Sequence, residues 1–168
     1  MPEPVDEHTR LRMQRQRRRD TSCELAIREE LFRRGRRYRV DVRVEPDLRT
    51  RADLAWKKRR IAVFVDGCFW HGCPRHGTSP RSNAEWWASK LETNRRRDER
   101  TTALLEERGW RVLRFWEHVD PFDAVDEIER ALDAVDRAND LSADSCSECE
   151  RDGVADLTGD VGLAPCPE

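Results

Sequence analysis

A run of fourteen residues, FVDGCFWHGCPRHG, constrains the fold of this 168-residue chain more than any other segment. It spans residues 64–77 and begins at the end of the apolar segment IAVFV, which predicts a central strand buried on both faces. The run holds two cysteines, two histidines and an aspartate, and its glycines and proline allow the backbone to turn tightly. The chain must therefore fold so that a buried strand ends in a compact loop crowded with reactive side chains.

Three residues of this loop are typical zinc ligands. Cys68, Cys73 and His76 lie within nine residues of one another, and structural zinc takes four such ligands. The fourth is either His71, in the same loop, or His118, at the end of a later predicted strand, where it would join two distant parts of the fold. The alternative to a zinc site is a pair of buried cysteines beside surface histidines.

Two acidic residues are predicted to meet beside the loop. Asp53 lies in ADLAW, a short predicted strand next to the strand that ends at Asp66. Adjacent strands bring both carboxylates to one edge of the sheet, where such a pair can bind Mg²⁺ and support phosphodiester cleavage. His71, if it does not bind zinc, lies close enough in sequence to act as a general base. The alternative for Asp53 is a strand-end residue that faces solvent.

The remaining periodicity predicts an α/β protein with a central sheet, in the order helix, three strands, helix, strand, helix. The predicted elements are a helix over 22–34, strands over 37–44, 52–56 and 61–65, a helix over 83–108 capped by Ser82, a strand over 110–116 and a final helix that opens at Asp120-Pro121. Thr21 and Glu24 match a capping box for the first helix, so capping alone explains Glu24. Trp110, Phe115 and Trp116 are expected in the core.

Composition divides the chain into three parts. Residues 1–19 are predicted to form a flexible basic arm, residues 20–137 the folded domain, and residues 138–168 an acidic, disordered tail. The tail holds Cys146-Ser-Glu-Cys149 and Cys166. A single CxxC is a weak zinc signal, and loose thiols are the alternative.

The charge distribution favours a partner with a phosphate backbone. Residues 1–100 carry 26 Lys or Arg and 16 Asp or Glu, a net charge of +10, whereas residues 101–168 carry 6 and 18, a net charge of −12. A basic body suits DNA, although a GC-rich genome would also enrich arginine. Because no apolar run reaches the length of a membrane span and the N-terminus lacks a secretory signal, we expect a cytoplasmic protein with reduced cysteines and no membrane partner.

Two aromatic pairs lie in or near the loop. Phe69-Trp70 directly follows Cys68, in a loop that zinc would stiffen, and two flat side chains presented there can wedge between stacked bases. Trp86-Trp87, at the start of the long predicted helix, either adds to this wedge or places one ring in the core.

These motifs together resemble those of the very short patch repair (Vsr) endonucleases, which nick DNA beside the T of a T:G mismatch. The resemblance covers about residues 17–118 and rests on DTSCE, RADLAW, FVDGCFWHGC, EWW, NRRRDER and GWRVLRFWEH. It implies a restriction-endonuclease-like fold of the PD-(D/E)XK type, structural Zn²⁺, catalytic Mg²⁺ and a substrate of double-stranded DNA with a T:G pair. It adds mismatch-repair proteins to the expected partners and places the protein in the nucleoid when it is on DNA. A monomer is expected, since the sequence shows no self-complementary apolar seam.

The resemblance also assigns the site residues. The positions that it implies are Asp53 and the carbonyl of Val65 for Mg²⁺, His71 for catalysis, Glu24 for organising the metal-bound water, and Phe69, Trp70 and Trp87 for the DNA wedge. Because His71 is then catalytic, the zinc ligands become Cys68, Cys73, His76 and His118.

Two departures from the family pattern affect this assignment. Some members have a histidine where this chain has Asp66. An aspartate there could hold metal or a metal-bound water and counts as a catalytic candidate, but it cannot act as a histidine would. The types of the zinc ligands also differ from the family pattern. Cys73 lies at a position where such members have a histidine, and His118 lies where they have a cysteine, but four ligands remain.

The sequence therefore predicts a zinc-stabilised, Mg²⁺-dependent endonuclease that nicks T:G-mismatched DNA and initiates its repair. One alternative is a restriction-type nuclease that cuts both strands of paired DNA. The other is a zinc module that binds DNA without cleaving it. These motifs predict neither which bases flank the mismatch nor whether a cytosine methyltransferase acts with the protein.

Overall fold

The computed structural model describes residues 19–77 and 83–149, with the backbone alone from residue 142 onward. The elements, in chain order, are α1 (Ser22–Arg33), β1 (Arg39–Arg43), β2 (Arg51–Trp56), a 3₁₀ turn (Lys57–Arg59), β3 (Ile61–Asp66), α2 (Ala84–Glu107), β4 (Arg111–Trp116) and α3 (Pro121–Cys149). The predicted element order and the α/β class are confirmed. None of the described helices combines the length and hydropathy that a bilayer-spanning segment requires.

The strands form one mixed sheet in the order β1-β2-β3-β4. β1 and β2, and β2 and β3, are antiparallel, whereas β3 and β4 are parallel. A parallel neighbour needs a long crossover, and α2 lies within the crossover between β3 and β4. The pairing of β2 with β3 ends at Leu54↔Val63, while β3 continues to pair with β4 as far as Asp66↔Trp116. The sheet therefore opens between Asp53 and the end of β3.

The hydrophobic core covers both faces of the sheet. On β3, Ile61 and Val63 alternate with Ala62 and Phe64, and all four are buried, as expected for a central strand. One cluster joins strand residues to Leu105 of α2; its members are Val42, Val44, Ala52, Ala55, Ala62, Phe64, Leu105 and Trp110. The helices α1 and α3 contribute further fully buried side chains, namely Ile27, Leu31, Val125, Ile128 and Leu132.

Helix α1 begins and ends as the sequence predicts. The Thr21 hydroxyl accepts a hydrogen bond from the backbone N–H of Glu24 at 3.3 Å, which satisfies one of the unpaired donors of the first turn. Gly35 adopts a positive φ of 74°, and the N–H of Arg36 reaches the carbonyl of Leu31 at 2.9 Å. This left-handed glycine closes the helix in a Schellman-type turn.

Most predicted element ends shift by one or two residues, and three further expectations need correction. Helix α2 starts at Ala84 with Asn83, not Ser82, in the N-cap position; Ser82 itself lies outside the described residues. Trp110 and Phe115 are in the core, but Trp116 is partly exposed because it lines a cavity. Helix α3 continues to Cys149, past the expected boundary at 137, because the sequence offers no glycine or proline after Pro121 until Gly153.

The folded region consists of two compact units, the first ending at Asp133 and the second beginning at Ala134. All the site residues described below belong to the first unit. The predicted basic arm (except Arg19), the end of the predicted acidic tail and the side chains of all three tail cysteines lie outside the described part of the chain, so the predicted domain boundaries stay predictions.

Candidate active site and metal centre

Asp53 lies where β2 separates from β3. Its Oδ2 accepts a hydrogen bond from the backbone N–H of Val65 at 2.7 Å. The N–H and C=O of one extended residue face the same neighbouring strand, so the Val65 carbonyl lies on the Asp53 side of β3. The structure thus brings together the two residues that the resemblance assigned to Mg²⁺.

Burial raises the pKa of Asp53 to about 6, because desolvation disfavours the charged carboxylate. The N–H of Val65 acts in the opposite direction, while the carboxylates of Glu24 and Asp66 raise the pKa further. A buried carboxylate with two acidic neighbours is a group whose charged form a divalent cation would stabilise. The residues present at this opening of the sheet therefore fit a hard cation.

Glu24 combines a capping role with a place near Asp53. It is only 5% exposed and accepts hydrogen bonds from the Thr21 hydroxyl and the Asp20 N–H, each at 3.1 Å. Arg28 donates to the same carboxylate at 2.8 Å. The capping prediction is confirmed. The charge of Glu24 also raises the pKa of Asp53, so Glu24 lies near the acidic site, and its predicted role toward metal-bound water stays a prediction.

His71 pairs with an acid that the sequence did not single out. Its Nδ1 lies 2.5 Å from Oδ2 of Asp98 on α2. Burial acts to raise the pKa of Asp98, but the hydrogen bond and charge of His71, with the charge of Arg114, outweigh it, so the pKa is lowered. An ionised Asp98 holds the Nδ1 proton of His71 and leaves Nε2 as the basic nitrogen.

Asp66 lies beside this pair and is 8% exposed. Arg114 of β4 donates to both of its oxygens, from Nε at 2.8 Å and from NH2 at 2.6 Å. Such a fork is the strong form of an arginine–carboxylate contact. The structure therefore places Asp66 at the site, engaged by arginine, and its predicted role toward a metal stays a prediction.

A cavity of about 790 Å³ opens next to these groups. Its lining includes Asp66, His71, Arg95, Asp98 and Arg114. The cavity gives the His71–Asp98 pair access to a ligand.

The four predicted zinc ligands converge. The ligand atoms of Cys68, Cys73, His76 and His118 all lie within 4.8 Å of one another, and Cys68 Sγ lies 3.1 Å from His118 Nδ1. Zinc bonds of about 2.0–2.3 Å would separate tetrahedral sulfur and nitrogen ligands by roughly 3.3–3.8 Å. Burial lowers the pKa of His118, which favours the neutral imidazole that a metal needs. The cluster can hold a metal ion, and its donor types fit zinc.

Local backbone contacts shape the ligand loop. The N–H of Cys73 donates to the Cys68 carbonyl at 2.9 Å, and that of Gly77 donates to the Cys73 carbonyl at 2.7 Å. A Cβ at Gly77 would lie 2.5 Å from the Cys73 carbonyl oxygen, so this turn requires glycine. Glu117 accepts the N–H of Cys68 at 2.8 Å, which ties the loop to the segment that carries His118.

The aromatic residues of the loop and of the start of α2 form one cluster. The ring of Phe69 lies 5.1 Å from that of Trp70 and 5.2 Å from that of Trp87, and Trp86 packs on Trp87 at 4.9 Å. Phe69 and Trp70 are partly exposed, whereas Trp87 is 6% exposed. The predicted wedge residues are therefore neighbours, with Trp87 supporting the other two; insertion into DNA stays a prediction for all three.

Two residues of the site, Asp98 and Arg114, were missed by the sequence analysis. Asp98 carries a helical signal: Asn94, Thr101 and Leu105 of the same helix are buried, and Asp98 lies on their face at the i, i+4, i+7, i+11 spacing. A charged residue on the inward face of a helix marks a candidate for function. Arg114 carries no such signal, because its partner Asp66 lies on a different strand.

Several known proteins are similar to this chain. The family model described as DNA mismatch endonuclease Vsr matches residues 5–76. The type II nicking enzyme V.NaeI of Lentzea aerocolonigenes is 40% identical over 145 residues, which cover 85% of this chain and 87% of that protein. The DNA mismatch endonuclease Vsr of Escherichia coli (strain K12) is 36% identical over 59% of this chain and 62% of its own length. Among solved structures, the catalytic domain of the homing endonuclease I-Bth0305I aligns with 69% of this chain and 94% of its own, with 20% identity and a TM-score of 0.41.

Proposed function

Because the chain belongs to the Vsr family of DNA endonucleases, we propose that it nicks one strand of duplex DNA beside the T of a T:G mismatch. Family membership makes the protein a DNA-cleaving hydrolase. The name of the relative V.NaeI, a nicking enzyme, supports a single-strand break as the product. The name of the Escherichia coli relative supports a mismatch as the substrate.

The observation that carries the proposal is the pairing of an acidic site with a base. Asp53 contacts Val65 at the opening of the sheet, and the His71–Asp98 pair lies against Asp66, which acts electrostatically on Asp53. Phosphodiester hydrolysis needs a centre that stabilises negative charge and a base that takes a proton from water. In this proposal, the acidic site supplies the first and His71 the second, and both lie at one end of the sheet.

We assign the following parts to these residues. Asp53 and the Val65 carbonyl would hold Mg²⁺, which supplies positive charge at the scissile phosphate. His71 takes the proton of the attacking water at Nε2, while Asp98 keeps the proton on Nδ1 and stabilises the imidazolium that forms. Glu24, which Thr21 and Arg28 hold in place within α1, would help to position water at the metal site. The Cys/His cluster would hold Zn²⁺ and fix the loop that carries His71.

The aromatic cluster supports recognition of a mismatch. Phe69 and Trp70 lie within the same loop as His71. If these two rings enter the stack of nucleobases, they would therefore also bring the DNA backbone close to the general base His71. A mismatched step costs less to open than a paired one. Selection and cleavage would therefore be coupled through one short segment.

A nicking assay tests the proposal. Duplexes with one T:G pair in varied contexts are incubated with Mg²⁺, with T:A and C:G duplexes as matched controls, and the Asp53→Ala variant serves as the inactive reference. We expect a single-strand nick at the T:G duplex alone, and D53A should still bind that duplex without cutting it.

Other outcomes have definite meanings. Cleavage of both strands of the paired controls would identify a restriction-type nuclease. Binding without cleavage of any duplex would identify a DNA-binding zinc module. Nicking by D53A would show that Asp53 is not required for cleavage and that its assignment is wrong.

A further inference from the structure

Arg114 holds a central position in the site, although the family pattern assigns it no role. Its side chain is 23% exposed and lines the same cavity as His71. Its guanidinium binds both oxygens of Asp66 and lies 3.7 Å from Oδ2 of Asp98, the oxygen that contacts His71. Arg114 therefore contacts both acids that flank the histidine.

His71 has two acidic acceptors within reach. Its Nδ1 lies 2.5 Å from Asp98 and 3.5 Å from Oδ1 of Asp66. Only the first distance is that of a hydrogen bond. If the carboxylate of Asp66 were free, it would compete for the same proton, and the two acceptors would require different orientations of the ring.

On the basis of the proposed nuclease function, we propose that Arg114 is a positioning residue that assigns the Nδ1 proton of His71 to Asp98 by occupying both oxygens of Asp66. The ring then has one acceptor and one orientation. Nε2 remains in a single position relative to the acidic site, which matters because a displacement of about 1 Å can reduce a rate by about 100-fold.

The fold holds Arg114 itself in place. β4 pairs in parallel with β3 in the register Phe64↔Arg114, and the Arg114 guanidinium carbon lies 5.0 Å from the centre of the Phe64 ring. A cation stacked on a buried aromatic ring and forked onto a carboxylate has little freedom to move. The inference also explains why this chain tolerates an aspartate where some family members have histidine: Arg114 neutralises the charge and occupies the acceptors that Asp66 introduces.

A double-variant cycle tests this role. Arg114→Met keeps an unbranched apolar stem against Phe64 but removes the guanidinium and frees Asp66, so we expect nicking to slow by about 10- to 100-fold with little change in affinity for DNA. Adding Asp66→Leu removes the competing acceptor. The D66L/R114M protein should therefore nick at least about tenfold faster than R114M. Arg111→Met replaces an exposed arginine at the start of the same strand; it is the matched control and should leave nicking unchanged.

Failure of the second substitution to restore the rate would overturn the proposal, because it would show that Asp66 or Arg114 acts directly. Loss of DNA affinity in R114M, unrelieved in the double variant, would instead make Arg114 a phosphate ligand and would also overturn it. Bound zinc and the melting temperature are measured for each variant so that unfolding is recognised.

A spectroscopic measurement tests the same point without cleavage. A short hydrogen bond to Asp98 should give the Nδ1 proton of His71 a downfield NMR signal, identified by its loss in His71→Gln. The signal should broaden in R114M and return in D66L/R114M; an unaltered signal in R114M would refute the positioning role. Because this readout needs no substrate, it tests the role of Arg114 independently of the T:G specificity. The nicking assay on the wild-type protein tests the T:G specificity.

Discussion

His71 Nδ1 and Asp98 Oδ2 lie 2.5 Å apart, although 27 residues separate them in the chain. His71 belongs to the loop after β3, and Asp98 belongs to the middle of α2. Their contact joins the loop that carries the aromatic pair to the helix that carries Trp87. In the proposed mechanism, helix α2 would therefore both orient the base and support the wedge.

Replacing Asp98 by asparagine should reduce the nicking rate by at least about 100-fold, because the amide cannot stabilise an imidazolium and allows the wrong tautomer. Binding of mismatched DNA should be unchanged or slightly stronger, since a negative charge is removed. Single-turnover nicking and a binding titration, both on the T:G duplex, separate the two quantities. Glu92→Gln, which neutralises a partly exposed acid on the same helix that pairs with Arg96, is the control. A D98N rate within threefold of the wild-type rate would exclude Asp98 from the mechanism.

The order of elements could be predicted because each has its own local signal. The alternation in RYRVDVRV, the apolar run IAVFV and the glycines after α1 and α2 report backbone periodicity and turn conformation, which depend on neighbours in sequence. The metal cluster was also predictable, since three of its four ligands lie within nine residues. Only the choice between His71 and His118 needed the family pattern, and the structure places His118 with the cysteines.

The contacts that orient the base were not predictable, because they join elements that are distant in sequence. Arg114 and Asp66 meet only because β3 and β4 pair in one register, and a shift of that register by one residue would turn Arg114 to the other face. The pairing of Asp98 with His71 likewise depends on the rotation of α2 about its axis. The end of α3 was placed too early for a different reason: low hydropathy suggested disorder after residue 137, whereas the helix continues to Cys149 through residues that include no glycine or proline.

Removal of the metal from the Cys/His cluster should destabilise the fold and abolish nicking together. The loop that carries His71 is held at Cys68 and Cys73, and a structural metal contributes its binding free energy to folding. We expect one zinc per chain by elemental analysis. Cys73→Ser or His118→Ala should lose the metal and melt at lower temperature, as should the wild type after chelation.

Cys23→Ala is the control for the cysteine variants, since Cys23 is buried but lies outside the cluster. It should retain one zinc. Full zinc content in C73S and H118A would show that these four residues do not form the site.

The stabilising contribution of Glu30 should depend on pH. Hydrogen bonds from Arg33 and Arg34 lower the pKa of Glu30 from 4.5 to about 2. Because the folded-state pKa is depressed, the contribution is present above pH 4.5 and is lost as the pH falls toward 2. Glu30→Gln should therefore be less stable than the wild type at pH 7, and the difference should shrink below pH 4.5.

Urea unfolding at several pH values measures this difference directly, and any loss of metal in acid affects both proteins alike. Glu29→Gln, an exposed neighbour on α1, should match the wild type throughout. A difference between E30Q and the wild type that is constant with pH would contradict the assignment of these ion pairs.

Truncating the aromatic pair should weaken discrimination more than catalysis. Stacking on a base is worth about 1–3 kcal/mol per aromatic side chain, so Phe69→Ala with Trp70→Ala should lower the ratio of T:G to T:A nicking by about tenfold or more. Phe32→Ala removes an equally apolar ring that is 62% exposed on α1 and should leave the ratio unchanged. An unchanged ratio of T:G to T:A nicking in the double variant would contradict the wedge model.

Asn94 should matter for the same discrimination, because it anchors the wedge from α2. Its Nδ2 donates to the carbonyl of Trp70 at 3.0 Å, and the residue is 7% exposed. Leaving a buried carbonyl without its hydrogen-bond donor costs about 1–3 kcal/mol of stability. Asn94→Ala should therefore release the loop at Trp70 and lower the ratio of T:G to T:A nicking at least about fivefold. The fluorescence of the tryptophan cluster should change with it. Thr93→Ala, the exposed neighbour whose hydroxyl bonds within the helix to Ser89, is the matched control. Equal ratios in N94A and T93A would mean that the loop holds its shape without this contact.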